Sequence, residues 1–264
     1  MCCGLPIHGD FGPRYKAGVA ELAQISYFGC MDRRSFIESC TAGVACVTGA
    51  AAMPALAGDA RPRPYQRALL TTALGEPLKA SSLKPLTNYV FNYPFEATPV
   101  FLLDLGKPAM PQSLSTRSRD AYAWPGGVGP ARSIVAFSAI CAHQLVYPTR
   151  EVSFISFRKQ RAGKGVQDGL IHCCADHSQY DPARGAAVLS GPAPQPLAAV
   201  LLAHDAGADT LTAYATLGNE LFDAFFQKYA MKLSLDVGAK ARDEVRERAV
   251  VRELDKFCRN NVQC

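Results

Sequence analysis

The sequence predicts an all-β protein, an antiparallel sandwich or barrel of small sheets. Two observations support this fold class. Short apolar or alternating runs recur along the middle of the chain with turn residues between them, and the 264 residues include 21 glycines and 18 prolines. The runs predict strands at Pro99–Leu105, Ser133–Ala139, Val152–Phe157, Val166–Cys173, Ala187–Leu189, Ala198–Ala203 and Thr210–Ala215.

After Gly218 the pattern changes to a helical one. Asn219 can cap a helix whose aromatic and leucine side chains fall on one face, and Ala239–Arg259 has the spacing of a second, charge-rich helix. We therefore expect residues 218–264 to form a helical C-terminal extension. Cys258 and Cys264 are close enough in sequence to form a disulfide under oxidising conditions, although free thiols are the alternative.

The net charge of +5 is modest, and lysines and arginines are scattered among acidic residues. This distribution argues against nucleic acid binding. The basic stretch Arg158–Gly165 predicts either a solvated hairpin or a surface that steers an acidic partner.

The first 57 residues have the pattern of a targeting segment. Arg33 and Arg34 precede an apolar pair and a weakly apolar stretch that ends in Pro54–Ala57, which resembles a twin-arginine signal peptide. We expect translation to start at Met31, cleavage to occur before Gly58, and the mature protein to be exported to the periplasm. A retained signal would instead make a membrane-anchored form, but the stretch has fewer strongly apolar residues than a spanning helix needs.

Two short segments combine cysteine and histidine. The first box contains Cys141 and His143 in a C-x-H pattern, and the second contains Cys174 and His177 in a C-x-x-H pattern, each at the end of a predicted strand. Thiolates and imidazoles together are ligands for zinc or for an iron-sulfur cluster.

The two boxes resemble the ligand boxes of the Rieske family. The resemblance covers residues 91–217, after an N-terminal arm at residues 58–90, and implies a β-sandwich with a small cluster-binding subdomain. It also implies a [2Fe-2S] cluster with Cys141, His143, Cys174 and His177 as ligands. Two imidazoles in place of two thiolates raise the potential to roughly −150 to +300 mV.

Further segments favour this family over a closed zinc site. Residues 190–194 match its third loop, a proline turn that covers the cluster, and residues 126–130 resemble the approach to the first box in arsenite oxidase small subunits. The resemblance implies supporting contacts to the cluster from Ser178, Tyr180, Gly191, Pro192 and Pro194.

The chain departs from the family pattern in three places. Val146 and Asp176 stand where many relatives have a pair of disulfide-bonded cysteines, and the usual glycine after the second histidine is absent. Cys173 and Cys174 are adjacent, so the thiolate ligand is open to two interpretations. The C-x-x-H spacing favours Cys174, with Cys173 as a small buried hydrophobe, whereas counting back from Tyr180 without a gap favours Cys173.

The resemblance implies a periplasmic one-electron carrier with no substrate chemistry of its own. The expected partners are the large subunit of an arsenite-oxidase-like oxidoreductase, a cytochrome c, or both. An iron-sulfur subunit of a quinol:cytochrome c reductase, with quinol as a further partner, and a zinc-binding structural protein are the alternatives. A Rieske oxygenase is disfavoured because His172 and His204 are the only other histidines after the signal.

Overall fold

The computed structural model describes residues 61–159 and 169–264. Within this part of the chain, β-strands are the main regular secondary structure, and helices are few and short. The strands are β1 (Arg63–Thr71), β2 (Tyr89–Asn92), β3 (Pro99–Asp104), β4 (Gln112–Ser115), β5 (Ala121–Trp124), β6 (Ile134–Ser138), β7 (Val152–Ser153), β8 (Ile155–Arg158), β9 (Leu170–Cys173), β10 (Ser178–Asp181), β11 (Ala187–Ser190), β12 (Ala199–Asp205), β13 (Thr210–Leu217), β14 (Glu247–Val250), β15 (Arg252–Glu253) and β16 (Asn260–Asn261). The α-helices are α1 (Phe222–Lys228), α2 (Ala230–Asp236) and α3 (Leu254–Phe257).

The largest sheet has eight strands in the order β14-β1-β13-β12-β6-β3-β2-β15. Its pairs are antiparallel apart from β14, which runs parallel to β1. The prediction of a largely antiparallel all-β fold is confirmed, and a strand lies in each of the seven predicted regions of the described chain.

Apolar side chains cover both faces of the central strand β3. Val100 and Leu102 pack into one core, and Phe101 and Leu103, on the opposite face, pack into another. Because successive strand residues point to opposite faces, a strand that is apolar throughout is buried on both sides. The second core also contains residues of a smaller sheet, among them Ile171.

The smaller sheet has the order β11-β10-β9-β8 and carries the second box. Strands β9 and β10 form an antiparallel hairpin in which Cys173 faces Ser178. The four residues between them, Cys174 to His177, form the turn. The two candidate cysteines therefore lie at the end of a strand and at the start of its turn.

Helices α1 and α2 pack beside the first box. Phe225 is fully buried and makes an edge contact with Tyr147, with ring centroids 4.9 Å apart. Lys228 Nζ donates a hydrogen bond of 2.6 Å to the carbonyl of Gln144. The helical segment thus supports the loop that carries Cys141 and His143.

The rest of the tail differs from the sequence-based expectation. The predicted helix over Ala239–Arg259 is wrong, because β14 and β15 occupy part of this stretch and only the four residues of α3 are α-helical. These strands pair with β1 and β2, so the segments expected as an extension and an N-terminal arm both contribute to the main sheet. Charged side chains of β14 face outward while Ala249 is buried.

The disulfide expectation for the tail is also corrected. Cys264 pairs with Cys174, with Cα atoms 5.6 Å apart, and Cys258 is a buried free thiol. Arg158, expected in an exposed basic hairpin, donates hydrogen bonds to the carbonyls of Val262 and Cys264. The end of the tail is therefore attached to the smaller sheet.

Two other expectations lie outside the described residues. These are the signal segment, with its start at Met31 and cleavage before Gly58, and the rest of the basic hairpin from residue 160 to residue 165. Among the helices of the described ranges, none combines the length and the apolar character that crossing a membrane requires.

The Cys174–Cys264 disulfide closes a sequence separation of 90 residues. We expect Cys264→Ser to lower the free energy of unfolding by roughly 2–5 kcal/mol, because the crosslink restricts the unfolded chain. Urea unfolding under non-reducing conditions measures this loss. The control Cys258→Ala removes the free thiol and costs about 1 kcal/mol. Equal losses in the two variants, or recovery of a peptide that joins Cys258 to Cys264, would contradict the assigned pairing.

Candidate metal centre

The first box is a short loop that follows β6. The backbone N–H of Cys141 donates to the carbonyl of Val146, and the N–H of Leu145 donates to the carbonyl of Cys141. These bonds close the loop around a fully buried Cys141. His143 points outward, with 39% of its side chain exposed.

The second box places a thiol and a carboxylate beside the first. Cys173 is fully buried, and its sulfur, the sulfur of Cys141 and a carboxylate oxygen of Asp176 all lie within 4.8 Å of one another. Asp176 Oδ2 is 3.1 Å from Cys141 Sγ and 3.1 Å from His143 Nδ1. Two thiols, an imidazole and a carboxylate therefore converge from two loops.

Strand geometry decides between the adjacent cysteines. Ile171 and Cys173 are fully buried on the same face of the hairpin, whereas Cys174 is bonded to Cys264. A disulfide sulfur is not a thiolate and is not available as a ligand. The structure therefore places Cys173 beside Cys141 and gives Cys174, the residue expected as the ligand, a disulfide instead.

The second predicted histidine is not part of this cluster. His177 is exposed and adopts a left-handed backbone conformation, with φ of 60°. Within the described residues, its imidazole is not among the donor atoms that converge with Cys141 and Cys173. The structure thus brings together Cys141, His143 and Cys173 with Asp176, which the sequence analysis had considered only as a substitute for a cysteine.

A buried tyrosine contacts the first box from the second. Tyr180 is fully buried, its hydroxyl lies 3.4 Å from Cys141 Sγ, and it accepts a hydrogen bond of 3.2 Å from the N–H of Ala142. Burial raises the pKa of Tyr180 above its ordinary value, so the hydroxyl keeps its proton. The hydroxyl is therefore placed where it can donate a hydrogen bond to the sulfur.

The two thiols differ electrostatically. The hydrogen bond from Cys173 lowers the pKa of the Cys141 thiol, and the Tyr180 hydroxyl acts in the same direction. The same Cys173–Cys141 hydrogen bond, together with burial, raises the pKa of the Cys173 thiol. Cys141 is thus the sulfur that loses its proton more readily, and a thiolate is the form that binds metal.

The predicted third loop lies against the second box. Gly191 has φ of 90°, and a Cβ atom there would lie 2.5 Å from Ser178 Cα and 2.9 Å from the carbonyl oxygen of His177. Ser178 Oγ accepts a hydrogen bond of 3.1 Å from the N–H of Ala193. The segment that contains Pro192 and Pro194 is therefore held directly over the turn of the second box.

The sequence contained a signal for Cys173 and Asp176, the two residues of the cluster that were not predicted as ligands. Counting back from Tyr180 without a gap already pointed to Cys173. If the C-x-x-H spacing starts at Cys173, Asp176 takes the position of the histidine. The sequence suggested Cys264 as a disulfide cysteine but gave no sign of its partner Cys174, because the bond joins residues 90 positions apart.

One solved structure provides a comparison. The chain is similar to the soluble domain of Rieske protein II from Sulfolobus acidocaldarius, with 26% sequence identity over 58% of this chain and 78% of that chain, at a TM-score of 0.40. No family model matches the chain.

The close approach of Gly191 to Ser178 predicts a specific loss of stability. We expect Gly191→Ala to cost about 1–3 kcal/mol more than Gly238→Ala, because its methyl group displaces the backbone of the second box. Gly238 is a matched control, since its φ of 77° imposes the same left-handed penalty and a Cβ atom there has no neighbour within 4 Å. Urea unfolding of both variants measures the difference, and equal losses would show that the contact is not tight.

Proposed function

We propose that the chain is a one-electron carrier that binds a [2Fe-2S] cluster between its two boxes. The observation that carries the proposal is the convergence of two buried thiols, Cys141 and Cys173, with the carboxylate of Asp176, which also contacts the partly exposed imidazole of His143. A [2Fe-2S] cluster requires four protein donors, and thiolates with imidazole are a known combination. The donor set of the described residues fits this requirement once the second box supplies a fourth ligand.

The surrounding residues have distinct roles in this proposal. Cys141 and Cys173 would hold the metal on the buried side, and the third loop at Gly191 packs closely against Ser178 of the second box. When bound, the cluster accepts and releases one electron. His143 lies on the exposed side, so it provides the contact surface for the electron donor or acceptor.

We further propose a periplasmic partner system of the arsenite-oxidase type, with electrons passed to a cytochrome c. The twin-arginine-like segment before residue 58 supports export of a protein that has already folded around a cofactor. The Cys174–Cys264 disulfide supports the same location, because disulfides persist in oxidising compartments.

A zinc-binding structural protein is the second candidate. The observation that favours it is the small spread of the donor atoms, since Cys141, Cys173 and Asp176 have ligand atoms within 4.8 Å of one another. Two cysteines, a histidine and an aspartate can surround a single zinc ion. The metal content of the purified protein separates the two candidates.

The adjacent cysteines provide the decisive test. Anaerobically purified full-length protein should contain two iron atoms and two acid-labile sulfides for each chain, the composition of a [2Fe-2S] cluster. We expect Cys173→Ser to lose both, whereas Cys174→Ser keeps them and loses only the disulfide. Iron and sulfide assays with low-temperature EPR of the reduced protein measure this. Stoichiometric zinc without iron in the wild type would contradict the electron-carrier function.

The hydroxyl of Tyr180 should tune the reduction potential. A hydrogen bond to a charged acceptor contributes about 1.5 kcal/mol, and about 1.4 kcal/mol corresponds to about 59 mV for one electron. We therefore expect Tyr180→Phe to lower the potential by up to about 60 mV, because the more negative reduced form loses more stabilisation than the oxidised form. Redox titration followed by EPR measures the shift.

Tyr93→Phe is the matched control for this change. Tyr93 is fully buried in the other core, and its hydroxyl has no hydrogen-bond partner among the described residues. Removing that hydroxyl should leave the potential unchanged. A shift of similar size in both variants would mean that the Tyr180 hydroxyl does not act on the centre directly.

A further inference from the structure

The side chain of Asp176 occupies the middle of the candidate centre. Only 3% of this side chain is exposed, and its Oδ2 atom is 3.1 Å both from Cys141 Sγ and from His143 Nδ1. The same carboxylate lies in the donor cluster with Cys173. One oxygen of Asp176 therefore reaches the donors of both boxes.

The turn of the second box fixes the other oxygen. Asp176 Oδ1 accepts a hydrogen bond of 2.9 Å from the N–H of Ser178, which leaves Oδ2 directed at the thiols. The group is an oriented carboxylate, held by the kind of outer hydrogen bond that metal ligands usually have.

His177 has the opposite placement in the same turn. It is exposed, its φ of 60° is a conformation that glycine and asparagine adopt most readily, and within the described residues no hydrogen bond or ion pair holds its imidazole. A ligand normally needs a fixed orientation. Nothing in the turn provides one for His177.

We propose that Asp176, and not His177, supplies the fourth ligand, so that the centre is held by Cys141, Cys173, His143 and Asp176. This inference rests on the proposed function and concerns the identity of one ligand. An anionic carboxylate in place of a neutral imidazole adds negative charge at the cluster and disfavours uptake of the electron. The reduction potential therefore lies below that of a centre with two imidazoles.

The first test counts histidine nitrogens. Full-length protein with ¹⁵N-labelled histidine is reduced and studied by pulsed EPR, which detects nitrogen bound to the cluster. We expect one coupled histidine nitrogen. Two coupled nitrogens would overturn the ligand assignment while supporting the cluster itself.

The second test uses a matched pair of asparagine variants. Asp176→Asn keeps the shape of the side chain and an acceptor for the Ser178 N–H, but it removes the charge of the ligand. His177→Asn places in the turn a residue that tolerates the left-handed conformation. Since loss of an outer partner alone lowers metal affinity about 10–100-fold, we expect Asp176→Asn to reduce the iron content at least about tenfold. His177→Asn should keep the iron content and EPR spectrum of the wild type.

A third variant separates ligand loss from misfolding. Asp176→His supplies an imidazole at the same position, and we expect it to retain iron, to show two coupled histidine nitrogens and to shift the potential upward. Circular dichroism and urea unfolding establish that all variants fold. Loss of iron in His177→Asn, or full iron in folded Asp176→Asn, would overturn the assignment. A wild type without iron and sulfide would instead contradict the proposed function.

Discussion

The alternation of side chains along β9 is the constraint on which the rest of the site depends. Cys173 points into the core beside Cys141, and Cys174, one residue later, is bonded to Cys264. Two neighbouring residues at the end of a strand cannot both face the same side. The pleat therefore gives one sulfur a place in the proposed metal centre and the other a structural role. A shift of one residue in the β9–β10 register would exchange these roles and dismantle both features.

The C-terminal part of the chain supports both boxes. Phe225 and Lys228 of α1 contact the first loop through Tyr147 and the carbonyl of Gln144. The second box is held through the disulfide of Cys264. The segment that the sequence predicted as a C-terminal extension is thus part of the same domain. Its strands β14 and β15 form the two edges of the main sheet.

Local patterns predicted the strands well because alternation and turn residues act over a few positions. The boxes were visible for the same reason, and they located Cys141, His143 and the second turn. The tail was misread, since Val245 and Ala249 have helical spacing while their burial comes from strand-like packing against distant parts of the sheet. For the choice between Cys173 and Cys174, the two spacings of the second box gave opposite answers. The approach of Asp176 to Cys141 and the pairing of Cys174 with Cys264 depend on contacts between distant segments, which local spacing does not reveal.

The separation of Cys174 from Cys264 also sets an order of events during biosynthesis. A hairpin such as β9–β10 forms in about 1–10 μs, whereas disulfide formation takes seconds to hours. The ribosome synthesises Cys264 90 residues after Cys174, and the hairpin, which ends at Asp181, is complete before then. During that interval Cys174 has no disulfide partner, and the pleat of β9 alone directs Cys173 and Cys174 to different sides. The disulfide therefore forms after the strand has already placed Cys173 and Cys174 on different sides.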